Sequence, residues 1–389
     1  MQIDGLLSVG IVILIGLLGG KLSHKYNIPR VTGYMLIGLL FGPSVFGLLS
    51  SELLSDIHLI NDIALGLILF AIGGEIELHH IKAMGKKVVF IAIAESLGAF
   101  ALIFGVTMGI SGDLGLASLL GTIAIATAPG VTLLVIREYS ARGPLTETLL
   151  AVVAMNNVIC LVAFRLFFSA YSLANGAPML DVAFDVFKEL VLSVVIGLGL
   201  GGLITYWEKK IDDLSELVLV IIGTLLLGIG ISTTIGISQL LVCLIIGAVT
   251  NNLSMMHKLV YPELRQTEMP FYIAFFVLSG ASLHLDSLAH LGLLGVAYLV
   301  ARPLGKFIGS HAAGVVFKAN PQVINNLGMA LLPQAGVAIG LAMEVSQSHP
   351  ELGGMISTVV LSSVIVYEGI GPFLTRLALV RARETHSED

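Results

Sequence analysis

Two long apolar stretches of this chain are each broken near the middle by a proline. One reads Ile125-Ala126-Thr127-Ala128-Pro129-Gly130-Val131, the other Ala330-Leu331-Leu332-Pro333-Gln334-Ala335-Gly336. Proline removes a backbone donor and clashes with the preceding turn, so it frees polar backbone groups within an apolar run. Hydrocarbon cannot satisfy such groups. They persist only where they are buried in protein or line a polar cavity. The two prolines lie 204 positions apart, in corresponding places of two halves. A matched pair of interrupted segments points to the ion or substrate site of a secondary transporter.

The remaining runs make this an all-α integral membrane protein. The chain is 56% hydrophobic and 12% charged, against about 25% charged in soluble domains. Runs of roughly 17–25 apolar residues cross a bilayer as helices. Thirteen such spans are predicted, at about 6–22, 31–49, 58–78, 88–110, 114–136, 145–170, 182–206, 216–234, 237–252, 269–285, 288–316, 327–345 and 356–379. The first lacks a small-residue cleavage pattern and is read as a span, not a signal peptide. Sixteen of the twenty Lys/Arg fall in alternate loops or at the end of the chain, among them Lys21, Lys87, Arg137, Lys209, Arg265, Lys318 and Arg381. The positive-inside rule makes that side cytoplasmic, so the N-terminus is predicted outside and the C-terminus inside.

Spans 1–6 resemble spans 8–13. Phe70–Leu78 in span 3 parallels Phe276–Leu285 in span 10, Ile37-Gly38 parallels Ile246-Gly247, and Pro129 parallels Pro333, at offsets from 204 to 209. The predicted organisation is a six-span repeat over residues 1–175, a linker span over 176–212 and a second six-span repeat over 213–389. Six spans plus one link invert the second copy.

Four Lys/Arg stand apart from the loops. Arg165 and Lys188 lie near outer helix ends and can snorkel. Arg302 and Lys306 lie well inside span 11, four residues apart and on one helical face. A buried cation marks a function or a pairing site; the bland alternative is a structural clamp at Arg302 and a snorkelling Lys306. The candidate acids are Glu368 in span 13 and Glu95 in span 4, with Glu344 near an outer end and Glu75 and Glu77 closing span 3. Either Glu368 or Glu95 could pair with Arg302 or Lys306, or carry a proton. Cys160 and Cys243 read as packing residues, and His79-His80 as interfacial. Zinc spacing, a nucleophile elbow and a phosphate-binding glycine loop are all missing, so no enzyme and no cofactor are expected.

Taken in order, these residues resemble the monovalent cation:proton antiporter superfamily, in its Kef-like/sodium–proton exchanger branch. The resemblance runs over essentially the whole chain. It rests on the thirteen spans, Phe70–Leu78 (like the family's F-x-x-G-L-E-L), the two breaks, Arg302-Pro303-Leu304-Gly305-Lys306, and Glu368 followed by Gly371-Pro372. It implies a sodium–proton antiporter fold in which the broken helices cross. It also implies a homodimer, with dimerisation by spans 1–3 and 8–10 and an elevator-like core of spans 4–6 and 11–13. At the crossing, Thr127, Ala128, Pro129 and Thr132 would flank the first break, and Pro333 and Gln334 the second.

One departure matters more than the agreements. Where the family carries one or two aspartates in span 6, this chain has Asn156 and Asn157. Asparagine offers a carbonyl oxygen but cannot ionise, so the usual competition of cation and proton for one carboxylate is not available there. The leading expectation is a sodium or potassium/proton antiporter with the proton carried elsewhere, on Glu368 or Glu95. It would sit in the plasma (inner) membrane and take a small inorganic ion and a proton, with sodium or potassium bound and no nucleic-acid partner. A different solute on the same fold, an anion or organic acid, follows if Arg302 and Lys306 leave the site positive. A non-transporting scaffold is the third class.

Overall fold

Among the described residues most apolar runs of the sequence appear as helix, and the helix ends follow local chemistry. The computed structural model describes residues 5–49, 58–74, 86–174, 179–211, 213–254, 257–281 and 292–385. Among these there are fifteen α-helices and no strand. They are α1 Gly5–Lys25, α2 Arg30–Phe41, α3 His58–Gly74, α4 Lys86–Ser111, α5 Leu114–Ile125, α6 Pro129–Glu138, α7 Pro144–Ala174 and α8 Met179–Glu208, followed by α9 Leu214–Ile235, α10 Gln239–Leu253, α11 His257–Ala281, α12 Gly292–Val316, α13 Pro321–Ala330, α14 Gly336–Ser348 and α15 Pro350–Arg381.

Proline opens α6, α13 and α15 in the first turn, where no donor is lost. Asp113, Asp213, Ser238 and Asn320 cap the next helices by accepting from Leu116, Ser215, Leu241 and Gln322 amides. Gly236 ends α9 with φ 73°, a left-handed turn that glycine tolerates without strain. Pro303 lies inside α12 and does not end it.

Seven segments of the described residues are long and apolar enough to cross a membrane: Lys86–Ser111, Leu114–Glu138, Pro144–Ala174, Phe187–Glu208, Leu214–Ile235, Gly292–Val316 and Pro350–Arg381. Two predicted spans differ most in their limits. The second was expected to reach residue 49, but α2 stops at Phe41, because Gly42-Pro43 turns the chain and the apolar residues up to Leu49 fold back as turns. The tenth begins earlier than expected, at His257. Glu75, Glu77 and His79-His80 lie outside the described residues.

The chain divides into two compact units. The first comprises residues 1–19, 34–83 and 183–282, the second residues 20–33, 84–182 and 283–389. In the first unit, glycines let helix backbones touch. A Cβ on Gly38 of α2 would collide with the Val277 carbonyl of α11, and one on Gly247 of α10 with the Phe70 carbonyl of α3. Gly280 meets Met35 in the same way, and Gly73 meets Leu244. Gly38 and Gly247, which the sequence offset paired, thus make equivalent contacts in the two halves.

In the second unit α4 and α12 are in contact along their length. Gly98 and Gly305 each face the other's carbonyl, and a Cβ on Gly309 would stand 2.8 Å from the Glu95 Cα. That approach places Glu95 directly beside α12. At the other end of the unit, a residue three positions beyond α15 anchors α7. Glu384 is 3% exposed, and its carboxylate accepts from the amides of Leu145 and Thr146 (both 2.7 Å) and from the Thr146 hydroxyl (2.8 Å). Removing it with Glu384→Ala strands these donors, and should cost about 2–3 kcal/mol. The readout is a lower thermal midpoint of the purified protein. Glu384→Gln should lose less, because one acceptor oxygen remains.

Candidate functional site

A helix that ends in the middle of an apolar layer leaves its last carbonyls without partners. At the first break every carbonyl from Thr122 to Ala128 has a named donor, and most donors are side chains. Cys160 Sγ donates to Thr122 (3.2 Å). Gln334 Nε2 donates to Ile123 (3.1 Å). Arg302 Nε donates to Ala124 (2.9 Å) and its Nη2 to Ala126 (2.6 Å). Lys306 Nζ donates to Ile125 (2.9 Å). Asn157 Nδ2 donates to Thr127 (3.1 Å), and the Thr132 hydroxyl to Ala128 (3.0 Å).

The second break is stitched to the first. The Ala128 amide donates to the Pro333 carbonyl at 2.8 Å, and Arg302 Nη1 to Leu332 at 2.8 Å. Thr127 Oγ1 donates to Leu331 (3.4 Å), and Thr375 of α15 donates to Ala330 (3.1 Å). The two interruptions therefore cross, and one guanidinium bridges them. The Arg302 cation also lies 4.6 Å from the centre of the Tyr367 ring, a favourable cation–π geometry. Positive side chains at the C-terminal carbonyls of α5 complement the negative end of its dipole. Beyond each break a new helix starts, α6 at Pro129 and α14 at Gly336, and neither has a side-chain cap.

The acids divide sharply. Glu95 is fully buried and forms an ion pair with Lys306 at 2.5 Å. Its other oxygen accepts from Asn156 Nδ2 at 2.5 Å, and Asn156 Oδ1 accepts from the Ser96 hydroxyl. Lys306 also donates to Thr127 Oγ1 (3.1 Å). A buried pair held by further hydrogen bonds is the arrangement that offsets desolvation. Glu368 is 1% exposed and has a carboxylate oxygen with no partner.

All of the sequence-predicted site residues fall in the second unit: Asn156, Asn157, Thr127, Ala128, Pro129, Thr132, Pro333, Gln334, Arg302, Lys306, Glu368 and Glu95. Hydrogen bonds bring most of them into direct contact. Several details differ from what the sequence suggested. Lys306 does not snorkel; it is 0% exposed. Arg302 pairs with backbone carbonyls, not with an acid. The Thr127 and Thr132 hydroxyls are engaged inside the breaks. Arg165 pairs with Glu344, and Lys188 donates to the Ile235 carbonyl at 2.8 Å.

Sequence reasoning missed five contributors, one of them Thr375 at the second break. Ser96 and Tyr298 complete the network, the latter accepting from Gln334 Nε2 at 3.0 Å; Cys160 and Tyr367 were the others. Their signal was present as polar or aromatic residues within spans, but not distinguishable from packing. A cavity of about 780 Å³ opens elsewhere, at Phe100, Phe104, Asp113, Phe167 and Tyr171. It includes none of the crossing residues, and its carboxylate caps α5.

Comparison with known proteins gives the family and a similar fold. The sequence model of the family described as sodium/hydrogen exchanger, transmembrane, matches residues 10–377. The ammonium/H⁺ antiporter subunit AmhT of Alkalihalophilus pseudofirmus is 25% identical over 287 residues, 71% of this chain and 70% of that protein. A Na⁺/H⁺ antiporter of Enterococcus hirae is 21% identical over 339 residues, 85% of this chain and 86% of the other. The solved structure of the sodium proton antiporter MjNhaP1 from Methanocaldococcus jannaschii at pH 8 is similar in fold, with a TM-score of 0.72 at 19% identity over 97% of this chain and 96% of that one.

Proposed function

The chain belongs to the sodium/hydrogen exchanger family, and on that footing we propose that it exchanges a monovalent cation for protons across the membrane. It is a multi-pass membrane protein and a transporter, not an enzyme. The observation that carries the proposal is the crossing of the two broken helices, where Asn157 reaches the first break and two buried acids, Glu95 and Glu368, lie on helices packed against it. Relatives named as antiporters of sodium or ammonium support a monovalent cation as the solute. An anion carrier has less support, because Lys306 is matched by Glu95 and Arg302 is occupied by three carbonyls.

In this reading the protein has thirteen spans, with α5–α6 and α13–α14 each counted as one, arranged as two inverted repeats. The equivalent glycine contacts and the crossing of Pro129 with Pro333 support the repeat. The two compact units support an elevator in which the unit with the crossing is the moving core and the other dimerises. The orientation, N-terminus outside and C-terminus cytoplasmic, rests on the basic loops.

Vesicles containing the purified protein and a trapped pH dye test the function. Addition of sodium, potassium or ammonium to vesicles with a pH gradient should move protons. No response to any of the three over a broad pH range would defeat the proposal. The substitution Asn157→Asp adds a carboxylate beside Thr127 and should lower the half-saturating cation concentration about tenfold, the effect of some 1.4 kcal/mol. An unchanged ion profile would show that α7 does not form the site.

A further inference from the structure

Proton coupling needs a carboxyl that can exist both protonated and ionised at the crossing, and α7 offers only asparagines. Glu95 is poorly suited. Lys306 and Asn156 hold both of its oxygens, and protonating it would leave the Lys306 charge buried without its partner.

Glu368 differs in every respect. Its side chain is buried, and its Oε2 has no hydrogen-bond partner among the described residues. It shares a helical face with Gly371 and Thr375, three and seven positions on. A Cβ on Gly371 would stand 2.9 Å from the Pro333 Cα, and Thr375 donates to the Ala330 carbonyl. Glu368 is thus on the face of α15 that covers the second break. Its depth matches as well. The end of α15 and the start of α7 are tied together by Glu384. Asn157 lies thirteen residues from Pro144, and Glu368 thirteen residues from Arg381, about 20 Å along each helix.

Two other buried oxygens at the crossing lack a donor among the described residues: Asn157 Oδ1 and Gln334 Oε1. The backbone carbonyls of Thr122–Ala128 and Ala330–Pro333 are already taken, so these side-chain oxygens remain for a cation. Charged groups on the neighbouring helices are engaged. α12 brings Arg302 and Lys306, described above, and α14 brings Glu344, paired with Arg165. α6 brings Arg137 and Glu138 at its far end, while α5 and α13 bring no charge.

We propose that Glu368 is the proton-coupling carboxyl of this chain, transferred from α7 to α15, and that it binds a monovalent cation together with Asn157 and Gln334 when ionised. The inference rests on the exchanger reading above. The charges predict its stoichiometry. Glu95 and Lys306 cancel, and Arg302 leaves one positive charge. With Glu368 protonated the site keeps that charge; ionisation removes it, and a bound cation restores it. The proton-loaded and cation-loaded sites carry equal charge, so exchange is one for one and electroneutral.

The test measures proton release from lightly buffered, detergent-purified protein on adding sodium, potassium or ammonium chloride, together with exchange in vesicles. The unmodified protein should release about one proton per cation bound, and its exchange should not respond to an imposed membrane potential. Glu368→Gln should release none, and its exchange should fall to the level of empty vesicles, with the thermal midpoint showing that it folds. Glu368→Asp keeps the acid in a shifted place and should retain release with a displaced pH midpoint. It carries the test if the glutamine variant does not fold. Proton release by Glu368→Gln equal to that of the unmodified protein would overturn the assignment while leaving the exchanger intact. Identical midpoints for Glu368→Asp and the unmodified protein would do the same. No exchange by the unmodified protein would overturn both.

Discussion

Replacing Arg302 with alanine is expected to abolish exchange and to destabilise the protein by about 3–5 kcal/mol. The guanidinium donates to Ala124, Ala126 and Leu332, which belong to both breaks. Without it, three buried carbonyls lose their donor in a region where water is scarce, and each unmet group costs about 1–3 kcal/mol. The Ala128–Pro333 hydrogen bond would remain, but it alone would then join the two breaks through their backbones. Arg302→Lys should rescue little, since one ammonium cannot span three carbonyls that a planar fork reaches together. The measurements are cation-driven proton flux in vesicles and the thermal midpoint in detergent. Normal flux with Arg302→Ala would show that the crossing holds without its bridge.

Breaking the other buried cation from its partner is the second large effect. Lys306→Met leaves the Glu95 carboxylate fully buried, with only Asn156 as a donor, and should cost about 3–5 kcal/mol. Glu95→Gln should cost a similar amount for the opposite reason, an unpaired ammonium. The double variant Glu95→Gln/Lys306→Met removes both charges and should recover most of the loss, so the two changes will be strongly non-additive. Thermal midpoints of the four proteins give the coupling directly. Additive single effects would mean that the pair contributes little as a pair. The Ile125 carbonyl and Thr127 hydroxyl also lose a donor in Lys306→Met, so recovery should be incomplete.

Much of this arrangement could be read from the chain. Pro129 and Pro333 mark the breaks because proline forbids the helix hydrogen bond wherever it occurs. Arg302 and Lys306 share a face because they are four residues apart. Their partners could not be read in this way. Both Glu95 and Glu368 are acids within apolar spans, and hydropathy treats them alike. Only the close approach of α4 and α12, through Gly98, Gly305 and Gly309, sets Glu95, not Glu368, against Lys306.

By itself the sequence determined the apolar spans, the two interruptions and the absence of an ionisable pair at Asn156-Asn157, since each depends on neighbouring residues or on chemical identity. The tertiary structure alone decided that Arg302 would serve carbonyls instead of an acid, and that Gln334 would reach back to Ile123. A freed carbonyl accepts from whichever donor the packing brings within about 3 Å. At this crossing those donors come from residues as much as 211 positions away.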